Sequence, residues 1–307
     1  MIDVIYKGKN ISEEVSILEC YHDMYAEQRT DTLHVTFDDS EHVWDGWGVK
    51  TNDKISVEYG AIKTGKMFVY SAKPRNGVFE IIATSVPASY KDKKSKSWQK
   101  IRLKAMCKEI ASNHNLEFTS YGVDDVTYEH ILQKNEGDFA FLNRRVQLEG
   151  CAFLVYDGKL VLYSEKYMEG KSSSGEIDLD SDTDYEYDDK SGWLFGSCKI
   201  EQGKYDGEFK SGNGSKKVYI PKLDFTVGNK AAANRYAKNL LRWANKNAYT
   251  GYFYSEIMTG YAPASVAVLK NDRAPSWNGK IFITHIRNDY ANGRSKIFFR
   301  KPINGGY

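Results

Sequence analysis

Two stretches of this chain run through nearly the same order of residues. Near the N-terminus the order is Ile55-Ser56-Val57, then Gly65-Lys66-Met67-Phe68-Val69, then Gly77 and Val78-Phe79-Glu80-Ile81. Near the C-terminus it is Val266-Ala267-Val268, then Gly279-Lys280-Ile281-Phe282-Ile283, then Gly293 and Ser295-Lys296-Ile297-Phe298. Each set follows an upstream strand-like run, Thr32 to Phe37 or Thr250 to Ser255, and the glycines lie 12 positions apart in one set and 14 in the other. Any two antiparallel meanders share part of such a pattern, because Gly-Lys before an apolar alternation is a common turn-to-strand signal. The ordered set as a whole reads as two copies of one β-barrel in a single chain, expected to superpose strand for strand, with Phe68 matching Phe282 and Ile81 near Phe298. Three such chains would offer six similar modules in a ring, of which only three are strictly equivalent.

Between and around the copies the texture changes. Residues 1–87 read as short strands at regular spacing, a small barrel. Lys91 to Ser97 reads as a charged linker, followed by a helix from about Trp98 to Asn113 with Leu103, Met106, Cys107 and Ile110 on one face. A second helix is expected from Asp138, taken as its N-cap, with Phe139, Leu142 and Val146 as its apolar stripe and Gly150 as its stop. Cys151 to Tyr156 and Lys159 to Tyr163 turn on Asp157-Gly158, a two-residue hairpin signal. These elements make 88–170 a middle α+β domain, expected outside the ring wall. Residues 171–216 read as an irregular connection with occasional strands. Residues 217–307 read as a second barrel preceded by one helix, capped by Asn229 and burying Ala233, Tyr236, Ala237, Leu240, Leu241 and Ala244. The fold class is mainly β with an α+β insert.

Composition excludes several roles. Among 307 residues, 43 Lys+Arg balance 41 Asp+Glu, so neither a basic nucleic-acid coat nor an acidic solvating tail is expected. Apolar residues at 41% and charged ones at 27% suit a globular protein. There is neither an apolar run long enough for a membrane helix nor a signal-peptide pattern at Met1-Ile2-Asp3-Val4. Cys20, Cys107, Cys151 and Cys198 have no paired spacing, which argues for buried free thiols rather than a zinc site or disulfide frame. Tyrosines number 22, an apolar ring with a wet tip, suited to half-buried strands and interfaces.

Motifs that could carry chemistry are weak. The acidic run Asp178, Asp180, Asp182, Asp184, Glu186 and Asp189 has oxygen ligands at calcium-loop offsets. Its sixth position is Thr183, where the turn needs Gly, and its twelfth is Asp rather than Glu, so an exposed acidic loop is the simpler reading. Lys91 to Lys104 is basic but holds one aromatic, Trp98, fewer than single-strand binding wants. Cys107 and His114 share a helical segment without a local motif, and neither a G-x-S-x-G nor a phosphate loop occurs. No cofactor is expected, no catalytic metal, and no enzyme activity.

The middle segment resembles a known family. Lys96-Ser97-Trp98 and the Leu103 helix, then Ile131 to Leu142 containing Gln133, Asn135, Glu136, Asp138, Phe141 and Leu142, then Arg144-Arg145, Gly150 and Asp157-Gly158-Lys159-Leu160, are similar to the phage late-control protein D family. These are central baseplate hubs of contractile phage tails, related to the N-terminal part of VgrG spike proteins. The resemblance covers most of the chain. It implies two tube-type β-barrels flanking a helix-containing middle domain, in the order the repeat also suggests. It implies a structural homotrimer that joins a hexameric tail tube protein to a trimeric spike protein, in contact with baseplate wedge proteins. Such a hub is assembled in the host bacterial cytoplasm, ends in the baseplate of the mature particle, inserts in no membrane and binds no specific nucleic acid. The chain shows no long β-helical extension and no lysozyme or peptidase insertion, so the spike is expected to be a separate polypeptide. The motif residues are expected to act structurally: Asp138 capping, Phe141 and Leu142 in the core, Asn135 and Glu136 in a turn. The alternatives are a hub with peptidoglycan-hydrolase activity using Cys or His in 171–216, and a carbohydrate-binding module using the Tyr and Trp surface.

Overall fold

Thr32 to Phe37 shows how the first core forms: Leu33, Val35 and Phe37 are fully buried, and Thr32, His34 and Thr36 between them face outward. The period of two in the sequence is the period of the pleat. The computed structural model describes residues 2–201, 204–303 and 307. The chain opens with β1 (Ile2–Tyr6), β2 (Lys9–Asn10), β3 (Ser16–Tyr25), β4 (Thr32–Asp38), the short α1 (Val43–Trp47), β5 (Lys54–Tyr59), β6 (Ile62–Lys63), β7 (Met67–Arg75) and β8 (Val78–Thr84). Their order in the sheet is β3-β4-β8-β7-β5-β1, all antiparallel. The sheet curls so that strands from both ends of this order meet one core. Trp44 of α1 plugs it, 1% exposed and stacked on Phe79 at 5.2 Å between ring centroids. Burying a ring of that size stabilises by roughly 2–3 kcal/mol.

The middle of the chain holds β9 (Lys93–Arg102), α2 (Leu103–Asn113), β10 (Glu117–Tyr121), β11 (Thr127–Gly137), α3 (Asp138–Leu148), β12 (Cys151–Tyr156), β13 (Lys159–Ser164) and α4 (Glu165–Gly170). Two expectations change here. The lysine-rich stretch after Lys91 is not a linker but strand β9, paired antiparallel along β11 from Gly137↔Lys93 to Thr127↔Arg102. The helix accordingly starts at Leu103, not at Trp98, because the ladder holds the backbone extended as far as Arg102. Lysines are poor strand formers in isolation, but an exposed strand face tolerates them, and Trp98 anchors the strand by stacking on Phe141 at 5.3 Å. Leu103, Met106, Cys107 and Ile110 do form the buried face of α2. The β12–β13 hairpin turns at Asp157-Gly158, and β10 lies parallel to β13. Gly150 ends α3 at φ +66°, and a Cβ there would come within 2.9 Å of Asn239 Oδ1. Glycine therefore serves both the left-handed turn and the close approach of the next helix.

The rest of the chain is β14 (Glu176–Asp178), β15 (Tyr185–Asp189), β16 (Ser197–Ile200), β17 (Gly207–Lys210), β18 (Val218–Tyr219), α5 (Lys230–Asn245), β19 (Tyr249–Glu256), β20 (Val266–Lys270), β21 (Gly279–Asp289) and β22 (Arg294–Arg300). Asn229 caps α5, its side chain accepting from the Ala232 amide at 2.8 Å. The helix covers the small β17-β16-β18 sheet, and Ala244 is only half-buried in it. The stretch 171–216, read as irregular, sends β14 and β15 into the second barrel, where they pair with β20 and β19.

The two copies are real in topology. The first orders its four central strands β4-β8-β7-β5, and the second β19-β22-β21-β20. Both carry one bulge at the same place, between Val69 and Ser71 in β7 and between Ile283 and His285 in β21. Val69 exchanges bonds with Asn52 and Asp53 at 2.8 Å, and Ile283 repeats them with Ala264 and Ser265 at 2.9 Å. Asn52 and Ala264 both sit at positive φ, +71° and +65°. Phe68 matches Phe282, as expected. The flanking strands match one residue away from the expected alignment: the ladders set Ile81 against Ile297, with Phe298 falling to Ile82, and Ile55 against Ala267. The bulge is common to both copies; what differs is the connections on either side of the matched strand, each two residues longer in the second copy, Ala267 to Ile281 against Ile55 to Met67 and Asp289 to Arg294 against Arg75 to Val78. The copies differ at their first strand, β1 being antiparallel to β5 while β14 is parallel to β20. They join through β3 and β21 into one 14-stranded sheet. The fold is thus mainly β, two barrels flanking a helix-containing insert.

Candidate functional site

Two buried polar clusters hold the pieces together. The first lies inside the middle unit. Gln133, fully buried, donates Nε2 to the Glu136 carbonyl at 2.9 Å and to Asp138 Oδ1 at 3.0 Å. Asp138 Oδ2 also meets Lys94 Nζ at 2.6 Å and His114 Nε2 at 3.0 Å. Burial alone would raise the Asp138 carboxyl, but bonds from His114, Lys94 and Gln133 outweigh it and hold the pKa well below the ordinary range. Asp138 is not the N-cap: Gly137 occupies that position, and Asp138 is the first residue of α3 with its side chain turned into this cluster. Asn135 lies in a bulge of β11 at φ +44°, its amide donating to Ser95 Oγ at 3.0 Å. Glu136 takes Arg144 at 2.6 Å, and the other guanidinium nitrogen of Arg144 reaches Asp224 at 2.6 Å. Phe141 and Leu142 are fully buried. The structure therefore brings Trp98, Gln133, Asn135, Glu136, Asp138, Phe141 and Leu142 together around the β9–β11–α3 packing, with Gly150 at the far end of α3.

The second cluster was not legible as a motif. Glu27 comes from the β3–β4 loop, Glu165 and Glu169 from α4, Arg242 from α5, Lys246 just beyond it, and Arg300 from the end of β22. Lys246 Nζ meets Glu27 at 2.5 Å and Glu165 at 2.6 Å. Glu169 meets Arg242 and Arg300, each at 2.6 Å, and Arg300 lies 3.7 Å from Glu165. Arg300 is fully buried, with its guanidinium over the Phe282 ring at 4.3 Å. Burial opposes the charge on Glu165, yet Lys246 and Arg300 outweigh it and lower its pKa. Burial together with the Glu165 charge raises that of Glu27. Beside the cluster, Tyr163 donates its hydroxyl to the Ala26 carbonyl at 2.7 Å. Three acids and three bases thus tie both barrels, α4 and α5 at one junction. In the first copy the position equivalent to Arg300 is Thr84, which only bonds the Val86 carbonyl.

The acidic run lies between β14 and β15. Asp180 Oδ1 accepts from Thr183 Oγ1 at 2.7 Å and from the Asp182 amide at 3.2 Å, a closed turn. Arg273 donates to the carbonyls of Ser181, Thr183 and Asp180 at 2.7, 2.7 and 2.9 Å. The backbone oxygens a calcium loop would present thus already face a guanidinium. Asp178 ends β14 and Asp184 precedes β15. The thiols are all buried, and burial pushes Cys20 and Cys198 up to about 12. Cys107 and Cys151 rise further, and His114 bonds Asp138 rather than a thiol. Thiols held protonated in this way are poor nucleophiles. Among the described residues no helix is long and apolar enough to cross a membrane.

Known protein families and curated proteins give no match to the sequence. Solved structures do. The 43 kDa tail protein of prophage MuSo2 from Shewanella oneidensis superposes with a TM-score of 0.75 at 10% identity, over 97% of each chain. A tail protein from Neisseria meningitidis MC58 gives 0.74 at 11% identity, over 97% of this chain and 95% of that one. An E. coli component of the type VI secretion system, described as structurally similar to the T4 bacteriophage tail proteins gp27 and gp5, gives 0.61 at 13% identity, over 94% and 74%. With so little identity the likeness is one of backbone: this chain has the fold of phage tail proteins along essentially its whole length.

Proposed function

We propose that the chain is a structural baseplate hub of a contractile phage tail or phage-tail-like particle, of the late-control protein D type. Three copies would form the ring that seats a hexameric tail tube on one face and a trimeric spike on the other, with wedge proteins around it. The observation that carries this reading is the duplication, in which matching strand order, bulge and loop bonds put two tube-like modules in one chain. Three chains then present six modules upward and three unlike inserts around them, which is what a six-to-three adaptor needs. Residues 1–87 and 217–307 would form the ring wall, with 171–216 lending strands to it and 88–170 standing outside. The role is mechanical rather than catalytic: the charged residues described above are spent on one another at packing junctions, and the thiols are buried. Such a protein is made in the bacterial cytoplasm and ends in the baseplate. Imaging of assembled tails that carry the chain should count three copies at the tube–spike junction; six copies, or one, would refute the reading.

A further inference from the structure

The joint between the two copies is made once inside the chain, and its two halves recur at edges that are still open. Inside, β3 of the first copy pairs antiparallel with the outer part of β21 of the second, from His285↔Tyr25 to Asp289↔Tyr21. Its polar centre is Arg287, which donates to Asp23 at 2.8 and 3.0 Å. Within the second copy, β15 stands beside β19 as β3 stands beside β4, and the ladders match Asp188 to Asp23 and Glu186 to Tyr21. Within the first copy, β7 corresponds to β21, and Lys73 matches Arg287 and Arg75 matches Asp289. Among the described residues, β15 pairs only with β19, and residues 71–75 pair only with β8. The first edge is the terminal strand of the sheet, and the second is the outer half of β7, beyond the residues that pair with β5.

We propose that they join successive chains: Tyr185–Asp189 of one copy adds antiparallel to residues 71–75 of the next, in the register that joins β3 to β21. That register sets Lys73 opposite Asp188 and Arg75 opposite Glu186. Both pairs are of opposite charge, and the first repeats the sense of Arg287 and Asp23. Lys73 and Arg75 now lean on Glu80 at 2.8 and 2.9 Å with side chains 46% and 64% exposed; Asp188, 45% exposed, pairs with Lys190, and the exposed Glu186 accepts from the Tyr252 hydroxyl at 2.9 Å, surface contacts that each side chain can exchange for one across the new ladder. Opposite charges directly across strands favour a register, and main-chain bonds supply the affinity. Pro74 takes the place of Asn288 and has no amide to donate, so this ladder is one bond poorer than the internal one. Proline on an open edge also keeps arbitrary strands away, leaving the charge pairs to select the partner. The ring closes at three only if the adaptor reading holds; the strand pairing does not depend on that number.

The test uses the full-length chain with Ala72→Cys and Asp189→Cys, which the register places opposite each other as Ile286 and Met24 are inside; the four native thiols are buried. Mild oxidation of the concentrated protein should yield a covalent trimer by mass. Lys73→Glu should lower the yield at least tenfold, and adding Asp188→Lys should restore it. A native trimer without the cross-link overturns the strand pairing and leaves the adaptor standing. Cross-linked open chains of other lengths uphold the pairing and overturn the three-fold ring. A monomer that never cross-links overturns the pairing.

Discussion

Replacing Arg300 by Met should test whether the junction cluster locks the barrels to the helices. Met nearly fills the volume and keeps contact with Phe282, so the change is chiefly one of charge. Arg300 is fully buried, 2.6 Å from Glu169 and 3.7 Å from Glu165. Its gross attraction to Glu169 is about 6 kcal/mol at an effective dielectric of about 20, before desolvation is subtracted. Without it, Glu27, Glu165 and Glu169 face only Arg242 and Lys246, and one buried carboxylate is left uncompensated. Breaking a buried pair by removing one partner costs about 3–5 kcal/mol. Glu169 keeps Arg242 at 2.6 Å and Glu165 keeps Lys246 at 2.6 Å, so the lower end, about 3 kcal/mol, is expected. Urea unfolding followed by tryptophan fluorescence measures the loss. Adding Glu169→Gln restores neutrality, so the double variant should fall short of the summed single losses by about 1.5 kcal/mol or more. A single-variant loss below about 1 kcal/mol, or strict additivity, would refute the account of the cluster as a lock.

Asp138→Asn removes the charge that Lys94 and His114 share, and should cost about 3 kcal/mol in the same assay, where loss of a simple helix cap would cost about 1 kcal/mol. Asp31 is buried and accepts from the Tyr25 amide at 2.9 Å, and burial pushes its pKa up to about 7. Its folded pKa lies above the unfolded one, so its contribution is fully present below pH about 4 and fades as pH rises through about 7. Asp31→Asn should therefore gain on the wild type by up to about 1.4 kcal/mol per pH unit across that window, and a difference flat with pH would exclude the effect. Ala264 holds a left-handed backbone at φ +65° where its counterpart is Asn52; Ala264→Gly should stabilise by about 0.5–1 kcal/mol in thermal or urea unfolding, and a loss would mean the loop is relaxed as it stands.

What the sequence made legible was whatever repeats locally. The alternation of Thr32 to Phe37, the Asp157-Gly158 turn and the Asn229 cap each carry their own signal over a few residues, and all three elements form where that signal lies. The Gly-Lys-apolar-Phe sets marked the duplication, because turn and strand chemistry repeat even when the rest has drifted. The alignment slipped by one residue in the flanking strands because register is set by which residues pair across the ladder, and the residue pattern alone does not record that pairing. Strand β9 was missed because its pattern is set by a partner strand 25 to 44 residues later in the chain, and lysines on its wet face look like a linker. The Gln133 motif was visible, but its purpose was not: Asp138 at a helix start resembles a cap until Lys94 and His114 arrive from distant segments. The junction cluster had no signature at all, since its six members are scattered from Glu27 to Arg300.

That scatter has a consequence in time. The ribosome releases Glu27 first of the six, then Glu165 and Glu169, then Arg242 and Lys246, and Arg300 last. Until β22 docks, the acids outnumber the bases at the junction and cannot all be buried at low cost. Most of the first barrel's core can assemble meanwhile, since all of its members but Tyr290 and Ile257 lie within residues 2–83. The tie between the barrels must wait for the last strand. Locking of the junction thus depends on strand β22, and a chain cut before Arg300 would hold a largely built first barrel beside an unlocked remainder.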